Sequence, residues 1–321
     1  MTSGGQEGVS VSLEDYRRAL LMAAIAALAA MLALPLLLGF TVDLASFLPL
    51  YVLAALPAAV LPYAKWRGLD ALKPALEATS LGLLLTLPVL VFTYSAMRLN
   101  MPLADPLLAR MDAAIGFDWT AFMRLVDSSR AASLILSLGY SSFSFQLLLL
   151  PSLLCIARLP GRAYQLVLGY LVLCTLSAAI GIFFPSVGAY VTHAMDPASL
   201  NHINGRFGHF FLESFHAVRG EAAFSLGIDN VAGILTFPSV HAGVAALCAW
   251  AAWPSRALRW PFLILNLIMA VSAITHGAHY LIDIFAGGLV AAAAVPLVRY
   301  IGLAVRPKAA LEAAGPIPQP G

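Results

Sequence analysis

Two histidines and one aspartate stand where short polar turns run into long apolar stretches. His241 lies in Phe-Pro-Ser-Val-His-Ala-Gly, and His279 and Asp283 begin and end His-Tyr-Leu-Ile-Asp. Ionisable side chains at the edge of a membrane span are costly, so they are candidates for function. A carboxylate bound to one imidazole raises the basicity of its other nitrogen, and a second imidazole protonates a leaving group. These residue types suit phosphoryl transfer through a phosphohistidine.

Helix ends are expected to hold these side chains in one pocket. Ser239 is a preferred N-cap residue, which places His241 in the first turn of the helix that follows. Asp283 follows His279 by four residues, so we expect both to share one face of a second helix. The free N–H groups and positive ends of the two helices favour an anion such as phosphate. Ser239 and Gly277 are the substrate-binding candidates at these turns.

The composition indicates an integral membrane protein. Of 321 residues, 61% are hydrophobic and 11% are charged, whereas a soluble domain carries about a quarter charged residues. The net charge of +2 is too small to indicate a nucleic-acid partner. Cys155, Cys174 and Cys248 lie inside apolar runs without a Cys-x-x-Cys pair, which predicts small buried residues.

Apolar stretches near the length of a membrane span predict an all-α protein with eight transmembrane helices. They cover about 18–40, 45–64, 76–97, 131–156, 164–185, 239–254, 261–276 and 281–301. The first is too long for a signal peptide and lacks a small-residue cleavage site. Lys and Arg residues in the short loops of one side predict cytoplasmic termini and an extracytoplasmic site in the cell membrane. We expect 1–15 to be a disordered tail and 304–321 to be a cytoplasmic tail.

Two extracytoplasmic segments are long enough to be structured. Asp105 as N-cap, Pro106 as first helical residue and Gly116 as terminator predict an interfacial amphipathic helix over 105–116. The segment 186–236 is rich in Phe, and a loop of this length is expected to form a lid over the site.

The lid also carries cations and histidines. Arg206 and Arg219 are its candidates for binding the substrate. Three histidines of the lid recur at intervals of seven residues: His202, His209 and His216. This spacing would suit metal ligands on one helix face. Glycines interrupt that helix, however, so a role in packing is favoured. A zinc site at His276, His279 and Asp283 is also conceivable, although the helix ends fit phosphate better, and we expect neither metal nor cofactor.

Together these motifs resemble the type 2 phosphatidic acid phosphatase superfamily. Pro-Ser-x-His, which ends at His241, and Ser-x5-Ala-His-Tyr-x2-Asp, which ends at Asp283, match its second and third motifs in order and spacing. The run 237–243, with 115–119 and 184–186, resembles the branch that includes fungal inositol phosphorylceramide synthase. The resemblance covers roughly 76–301. It implies a six-helix catalytic core over 76–303, after two extra N-terminal helices within 16–75.

The resemblance also implies roles for the three residues. His279 would be the nucleophile, Asp283 its orienter and His241 the general acid. Two cationic elements usual in the phosphatases are missing: Ala273 stands at the position of an Arg, and no Lys/Arg motif adjoins Phe184. A phosphodiester carries one charge and a phosphomonoester nearly two, so the losses favour a diester substrate.

The expected function is that of a membrane enzyme that moves a phosphoryl-bearing group from a phospholipid to a lipid hydroxyl or to water. A transferase that resembles an inositolphosphotransferase is favoured. The alternative is a phosphatase of phosphatidate or polyprenyl phosphate. A proton-coupled transporter is less favoured, because the ionisable cluster lies at one face and not at the membrane midplane.

Overall fold

The computed structural model describes residues 11–306. Its α-helices are α1 Leu13–Leu38, α2 Leu48–Trp66, α3 Lys73–Leu84, α4 Thr86–Arg98, α5 Asp105–Ala114, α6 Trp119–Asp127, α7 Arg130–Ile156, α8 Pro160–Gly181, α9 Ala189–Thr192, α10 Leu212–Gly220, α11 Val240–Ala252, α12 Arg259–His276 and α13 Leu281–Ala304. Short 3-10 turns cover Asp70–Leu72, Pro197–Ser199 and Gly205–Gly208. Two strands, β1 Thr41–Val42 and β2 Ser225–Leu226, pair in parallel.

Most of the two predicted tails lies outside the described residues. The tail expected over 1–15 overlaps α1, which begins at Leu13 after Ser12. Ser12 and Asp15 form a capping box, in which each side chain accepts a hydrogen bond from the backbone of the other. The first helix therefore starts earlier than the apolar run alone indicated.

The helices confirm an all-α integral membrane protein. Among residues 11–306, seven helical stretches are long and apolar enough to span a membrane, and α3 and α4 together count as one of them. The span expected over 239–254 is observed as α11, which has 13 residues. At about 1.5 Å per residue, α11 is shorter than the hydrocarbon core of roughly 30 Å. Because α11 does not cross the full thickness of the hydrocarbon core, its first residues can lie below the membrane surface.

Helix α8 lies at the centre of the bundle. It packs against α1, α3, α4, α7, α11 and α13. Its side chains Leu168, Leu173 and Cys174 are fully buried among those neighbours. A central helix that is apolar on all sides needs apolar partners all round, which explains why the amphipathic helices are found outside this bundle.

Helices α11 and α13 approach closely because each has a glycine at the crossing. A Cβ at Gly287 would overlap the carbonyl group of Ser239, and one at Gly243 would lie 3.1 Å from the carbonyl oxygen of Gly287. The N–H of Ser239 donates to the carbonyl oxygen of Asp283 at 3.1 Å. The starts of the two helices are thereby held side by side.

Arg98, at the end of α4, joins several connections at the same end of the bundle. Its guanidinium donates to five carbonyl oxygens, those of Leu38, Gly39, Val218, Glu221 and Ala222. The β1–β2 pair links the same two regions, the turn after α1 and the long segment before α11. The segment 186–236 is thus fastened to the bundle rather than detached from it.

The helix expected over 105–116 is observed as α5, and Gly116 with φ of 77° follows its end. The N-cap assignment was off by one residue, because Ala104 holds that position and Asp105 is the first helical residue. The carboxylate of Asp105 instead accepts hydrogen bonds from Ser186, Val187 and Gly188. A tertiary contact has replaced the local cap.

Candidate active site

His279 and Asp283 are in contact, but they do not share a helix face as expected. His279 lies in the turn between α12 and α13, and α13 begins only at Leu281. Asp283 Oδ2 accepts the N–H of Tyr280 at 3.0 Å and lies 3.1 Å from Nδ1 of His279. A helix-capping carboxylate therefore also holds the imidazole, which allows the ring to stand outside the helix.

Ser239 links the start of α11 to the imidazole ring of His279. As expected, it caps α11, with its hydroxyl accepting the N–H of Ala242 at 3.3 Å, and His241 follows in the first turn. Ser239 Oγ lies 3.2 Å from Nε2 of His279. One tautomer satisfies all these contacts: Nδ1 donates to Asp283, and Nε2 accepts the Ser239 hydroxyl proton. In that tautomer Nε2 is the unprotonated nitrogen, and its lone pair accepts the hydrogen bond of Ser239.

His241 is held in an aromatic slot next to His279. The ring centroids of the two histidines are 6.4 Å apart, with the planes inclined by 61°. Tyr140 of α7 stacks on His241 at 4.3 Å, and Phe143 lies 4.5 Å from it. Tyr140 is ten residues after the first residue of α7, or about 15 Å from the start of that helix. The two histidines therefore lie deeper in the bundle than the start of α7.

Burial governs the electrostatics of the pair. The His279 residue is 3% exposed and Asp283 is wholly buried. Burial lowers the pKa of His279 to about 4, so the ring is neutral at neutral pH. Among the contacts of residues 11–306, Asp283 Oδ1 has no hydrogen-bond partner. Leaving a buried oxygen without a hydrogen bond is costly. The other carboxylate oxygen of Asp283, Oδ2, contacts the His279 ring and accepts the N–H of Tyr280.

The start of α13 is not free to bind an anion, contrary to expectation. The N–H groups of Leu281 and Ile282 donate to Oδ2 and Oδ1 of Asp112, each at 2.9 Å. Burial raises the pKa of Asp112 and these two amide bonds oppose the rise. A carboxylate from α5 therefore occupies the positive end of α13, whereas the cap of α11 is the neutral hydroxyl of Ser239.

The backbone around His279 is fixed by contacts from distant segments. The Trp119 indole N–H of α6 donates to the carbonyl oxygen of His279 at 3.1 Å. The N–H of Ala189 donates to the carbonyl oxygen of Ala278 at 2.8 Å, and a Cβ at Gly188 would lie 2.7 Å from that same oxygen. Ala278 itself has φ of 57°, an unusual value for a residue with a side chain. These contacts offset that strain and set the direction of the ring.

The four predicted substrate-binding residues differ in position. Ser239 is in the site, and Gly277 leaves the space that the His279 ring occupies, since a Cβ there would lie 2.7 Å from Cδ2. Arg219 donates to the carbonyl oxygen of Met101 at 2.9 Å and lies over the ring of Phe215. Arg206 lines a surface cavity with Phe207.

Neither arginine is hydrogen-bonded to the central residues, as far as residues 11–306 are described. Phe207 does reach the site, because its ring packs against Tyr140 and His276 at 5.7 and 5.4 Å. Arg206 is therefore next to a residue of the lid that contacts the site, and Arg219 is engaged elsewhere.

Three other histidines, His209, His216 and His276, each contact a residue close to them in the chain. His276 Nδ1 lies 2.8 Å from the hydroxyl of Thr275, and His209 Nδ1 lies 3.3 Å from the carbonyl oxygen of Gly205. His216 packs edge-on against Phe215. Within residues 11–306, no three or more His, Cys, Asp or Glu side chains are grouped as a metal site would require.

A cavity of about 220 Å³ lies between α2, α3, α7 and α8. Most of its lining is apolar, and Phe143 belongs both to this lining and to the surroundings of His241. Thr79, which also lines the cavity, has a buried hydroxyl without a partner among the described residues. Phe143 thus contacts His241 and also lines an apolar space inside the bundle.

Sequence reasoning missed three residues of this site: Asp112, Trp119 and Tyr140. Asp112 carried a signal, because Asp105, Leu108 and Asp112 recur at helical spacing on one face of α5, and all three are buried. Two carboxylates on a buried face require partners elsewhere in the chain. Trp119 lies in the run 115–119 that carries the family resemblance, and Tyr140 lies in a polar patch of its span. Nothing in the sequence indicated that either contacts the histidines, since aromatic residues at a helix face are usual in a core.

The fold and site define a multi-pass, all-α membrane protein with a buried His–Asp pair and a second histidine at one end of its bundle. The chain belongs to the PAP2 superfamily, whose family model matches residues 106–297. Membership supports phosphatase or phosphotransferase activity on lipid-like phosphoesters. The match begins in α5, so α1 to α4 lie outside it. No curated protein and no solved structure matches the chain.

Proposed function

We propose that this protein transfers a phosphoryl-bearing group from a phospholipid phosphodiester to a lipid hydroxyl through a phosphohistidine at His279. The observation that carries the proposal is the hydrogen-bonded series Ser239–His279–Asp283, with His241 beside it. Asp283 holds Nδ1, Nε2 faces Ser239, and the His241 ring lies 6.4 Å from the His279 ring. This arrangement supports the proposed roles of His279 as nucleophile, Asp283 as its orienter and His241 as a separate acid.

The proposed reaction has two displacements. In the first, the Ser239 hydroxyl turns from Nε2 of His279 to a phosphate oxygen, and the freed lone pair of Nε2 forms a bond to phosphorus. The bond from phosphorus to the lipid alcohol oxygen breaks, and protonated His241 gives that oxygen its proton. In the second, His241 removes the proton of the acceptor hydroxyl, whose oxygen attacks phosphorus as the P–N bond breaks. Both imidazoles return to their initial protonation states. The mechanism uses no metal and no cofactor.

The phosphate is proposed to lie at the start of α11. Its first turn supplies N–H groups and a positive dipole end, and the Ser239 hydroxyl faces the same point as Nε2. The start of α13 does not contribute, because Asp112 occupies it. A single charge on the substrate suits one helix end better than two charges would. This supports the diester preference and the likeness to inositol phosphorylceramide synthase.

The lipid chain is proposed to enter the cavity beyond Phe143. His241 handles the oxygen of the departing alcohol and of the acceptor, so the chain attached to that oxygen starts next to the His241 ring. The apolar lining of the cavity favours a hydrocarbon chain. Loops rich in Lys and Arg on the opposite side support cytoplasmic termini and an extracytoplasmic site.

The test is product analysis with purified protein and a panel of phospholipids, each with and without a long-chain lipid alcohol. The expected result is a head-group phosphate ester of the added alcohol, formed only when donor and alcohol are both present and absent with His279→Ala. Release of a water-soluble phosphate, unaffected by the alcohol, would instead identify the runner-up, a lipid phosphate phosphatase. No conversion of any phosphoester would contradict both.

A further inference from the structure

Asp112 places a carboxylate at the start of α13, directly after the turn that carries His279. Both of its oxygens accept backbone N–H groups of the first turn of α13, each at 2.9 Å. That turn also contains Asp283, which orients His279. The residue itself is 2% exposed. Asp112 thus neutralises the positive end of α13 and takes up the two amides that would otherwise be available to a phosphate oxygen.

A further carboxylate lies close by. Asp105 accepts a hydrogen bond from the hydroxyl of Tyr280, the residue that follows His279. Ala273, on the other side of the turn, is a fully buried methyl group and supplies no cation. Three carboxylates therefore surround the His279 turn from α5 and α13.

We infer that Asp112 is a specificity-determining residue that disfavours dianionic phosphomonoesters at the proposed phosphoryl-transfer site. A phosphomonoester carries close to two negative charges at neutral pH, and a diester carries one. A charge at a helix end acts on a nearby anion with little screening in a buried site. The repulsion therefore weighs about twice as heavily on the monoester. The inference rests on the proposed function and names the substrate class of the same site.

A purely structural role for Asp112 predicts something different. If the carboxylate only fastens α5 to α13, its loss would lower turnover of every substrate by the same factor. A role in specificity changes the ratio of kcat/KM for the monoester to kcat/KM for the diester. The ratio for a phosphatidate and its head-group-bearing parent is the measurement that separates the two roles.

The experiment compares the wild type with Asp112→Asn, which keeps one acceptor oxygen and removes the charge. We expect the monoester-to-diester ratio to rise about three- to tenfold, the size of effect that a charge has at a helix end. Asp112→Glu, which keeps the charge, is expected to leave the ratio near that of the wild type even if overall turnover falls.

Asp127→Asn is the matched control. Asp127 is also a buried carboxylate that accepts backbone N–H groups, those of Asn201, His202 and Ile203. It fastens the lid segment and makes no contact with the turn of His279 among the described residues. Its substitution is expected to reduce stability and to leave the substrate ratio unchanged.

The outcomes are distinct. An unchanged ratio in Asp112→Asn, or an equal loss for both esters, overturns the inference while leaving the proposed function intact. If Asp112→Asn does not fold, Asp112→Ser supplies a smaller neutral acceptor for the same two amides, and the same criterion applies to it. A wild type that converts neither ester defeats the proposed function itself, and the inference with it.

Discussion

The hydroxyl of Tyr280 donates a hydrogen bond to Oδ1 of Asp105 at 3.0 Å. The same carboxylate oxygen accepts the hydroxyl of Ser186 and the N–H of Gly188. One buried carboxylate therefore joins α5, the segment after α8 and the turn that carries His279. These three segments are far apart in the chain, and the position of His279 depends on their junction.

Tyr280→Phe tests this junction. It removes the hydrogen bond of the hydroxyl to the Asp105 carboxylate and its 2.6 Å contact with Thr192 Oγ1. We therefore expect a loss of about 1.5–3 kcal/mol in stability and a lower kcat, because the turn of His279 loses one of its ties to α5. Thermal unfolding in detergent and steady-state kinetics measure the two effects. Tyr300→Phe, at a 67% exposed position of α13, is the matched control. Equal behaviour of the two variants would contradict the role of Tyr280.

His279→Ala and Asp283→Asn are expected to abolish turnover while the protein stays folded in the membrane. The first removes the proposed nucleophile, and the second removes the carboxylate 3.1 Å from Nδ1 that selects its tautomer. The measurement is turnover, together with trapping of an acid-labile phosphoenzyme from labelled substrate. His216→Ala, in the lid, should retain both. Turnover like that of the wild type in His279→Ala would exclude the phosphohistidine.

His241→Ala is expected to be severely impaired with natural lipids, because the departing alkoxide would receive no proton. A substrate with a p-nitrophenol leaving group needs no proton, so it should recover a large part of the lost rate. The measurement is the ratio of variant to wild-type kcat for the two leaving groups. An equal loss with both would show that His241 is not the general acid.

The pH profile should reflect the depressed pKa of His279, about 4 because of burial. With the p-nitrophenyl substrate, which makes the proton of His241 unnecessary, kcat/KM should hold down to about pH 4 and fall below it as Nε2 takes a proton. Lowering the pH should also reduce the free energy of unfolding. Between the ordinary imidazole pKa near 6.5 and the folded-state pKa of His279 of about 4, the unfolded chain takes up the proton and the folded chain does not. Stability therefore decreases as the pH is lowered through that window. An acid limb near pH 6.5 would contradict the burial effect.

The cavity beside Phe143 predicts a dependence on chain length. Leu148→Trp fills the cavity that Leu148 lines, so kcat/KM should fall for dipalmitoyl lipids and much less for dihexanoyl lipids. Leu149→Trp puts the same side chain at the next residue of α7, which is 53% exposed outside the bundle, and should change neither. Varying the chain in the donor and in the alcohol separately shows which of them uses the cavity. A loss independent of chain length would assign the cavity to packing alone.

Several features could be predicted from the sequence because their causes are local. Apolar runs predict helices that cross a membrane, since a lipid environment leaves the backbone few other ways to satisfy its N–H and C=O groups. Ser239 caps α11 through the amide of Ala242, three residues away. His241 in the first turn follows from that cap. The contact between His279 and Asp283 was also expected, since the two are close in the chain.

Other features required the tertiary structure, because their partners are distant in sequence. Asp105 has the residue type of an N-cap and stands next to that position, yet its buried carboxylate gains more from the three donors at 186–188 than from its own helix. Asp112 accepts the N–H groups of Leu281 and Ile282, which are 169 and 170 residues away in the chain. The helix end that was expected to bind phosphate is therefore occupied by a carboxylate. Tyr140 stacks on His241 only because α7 and α11 pack together. Residue types and local spacing determined the candidate reacting groups, whereas long-range packing decided which helix end carries no carboxylate and is left for the proposed anion.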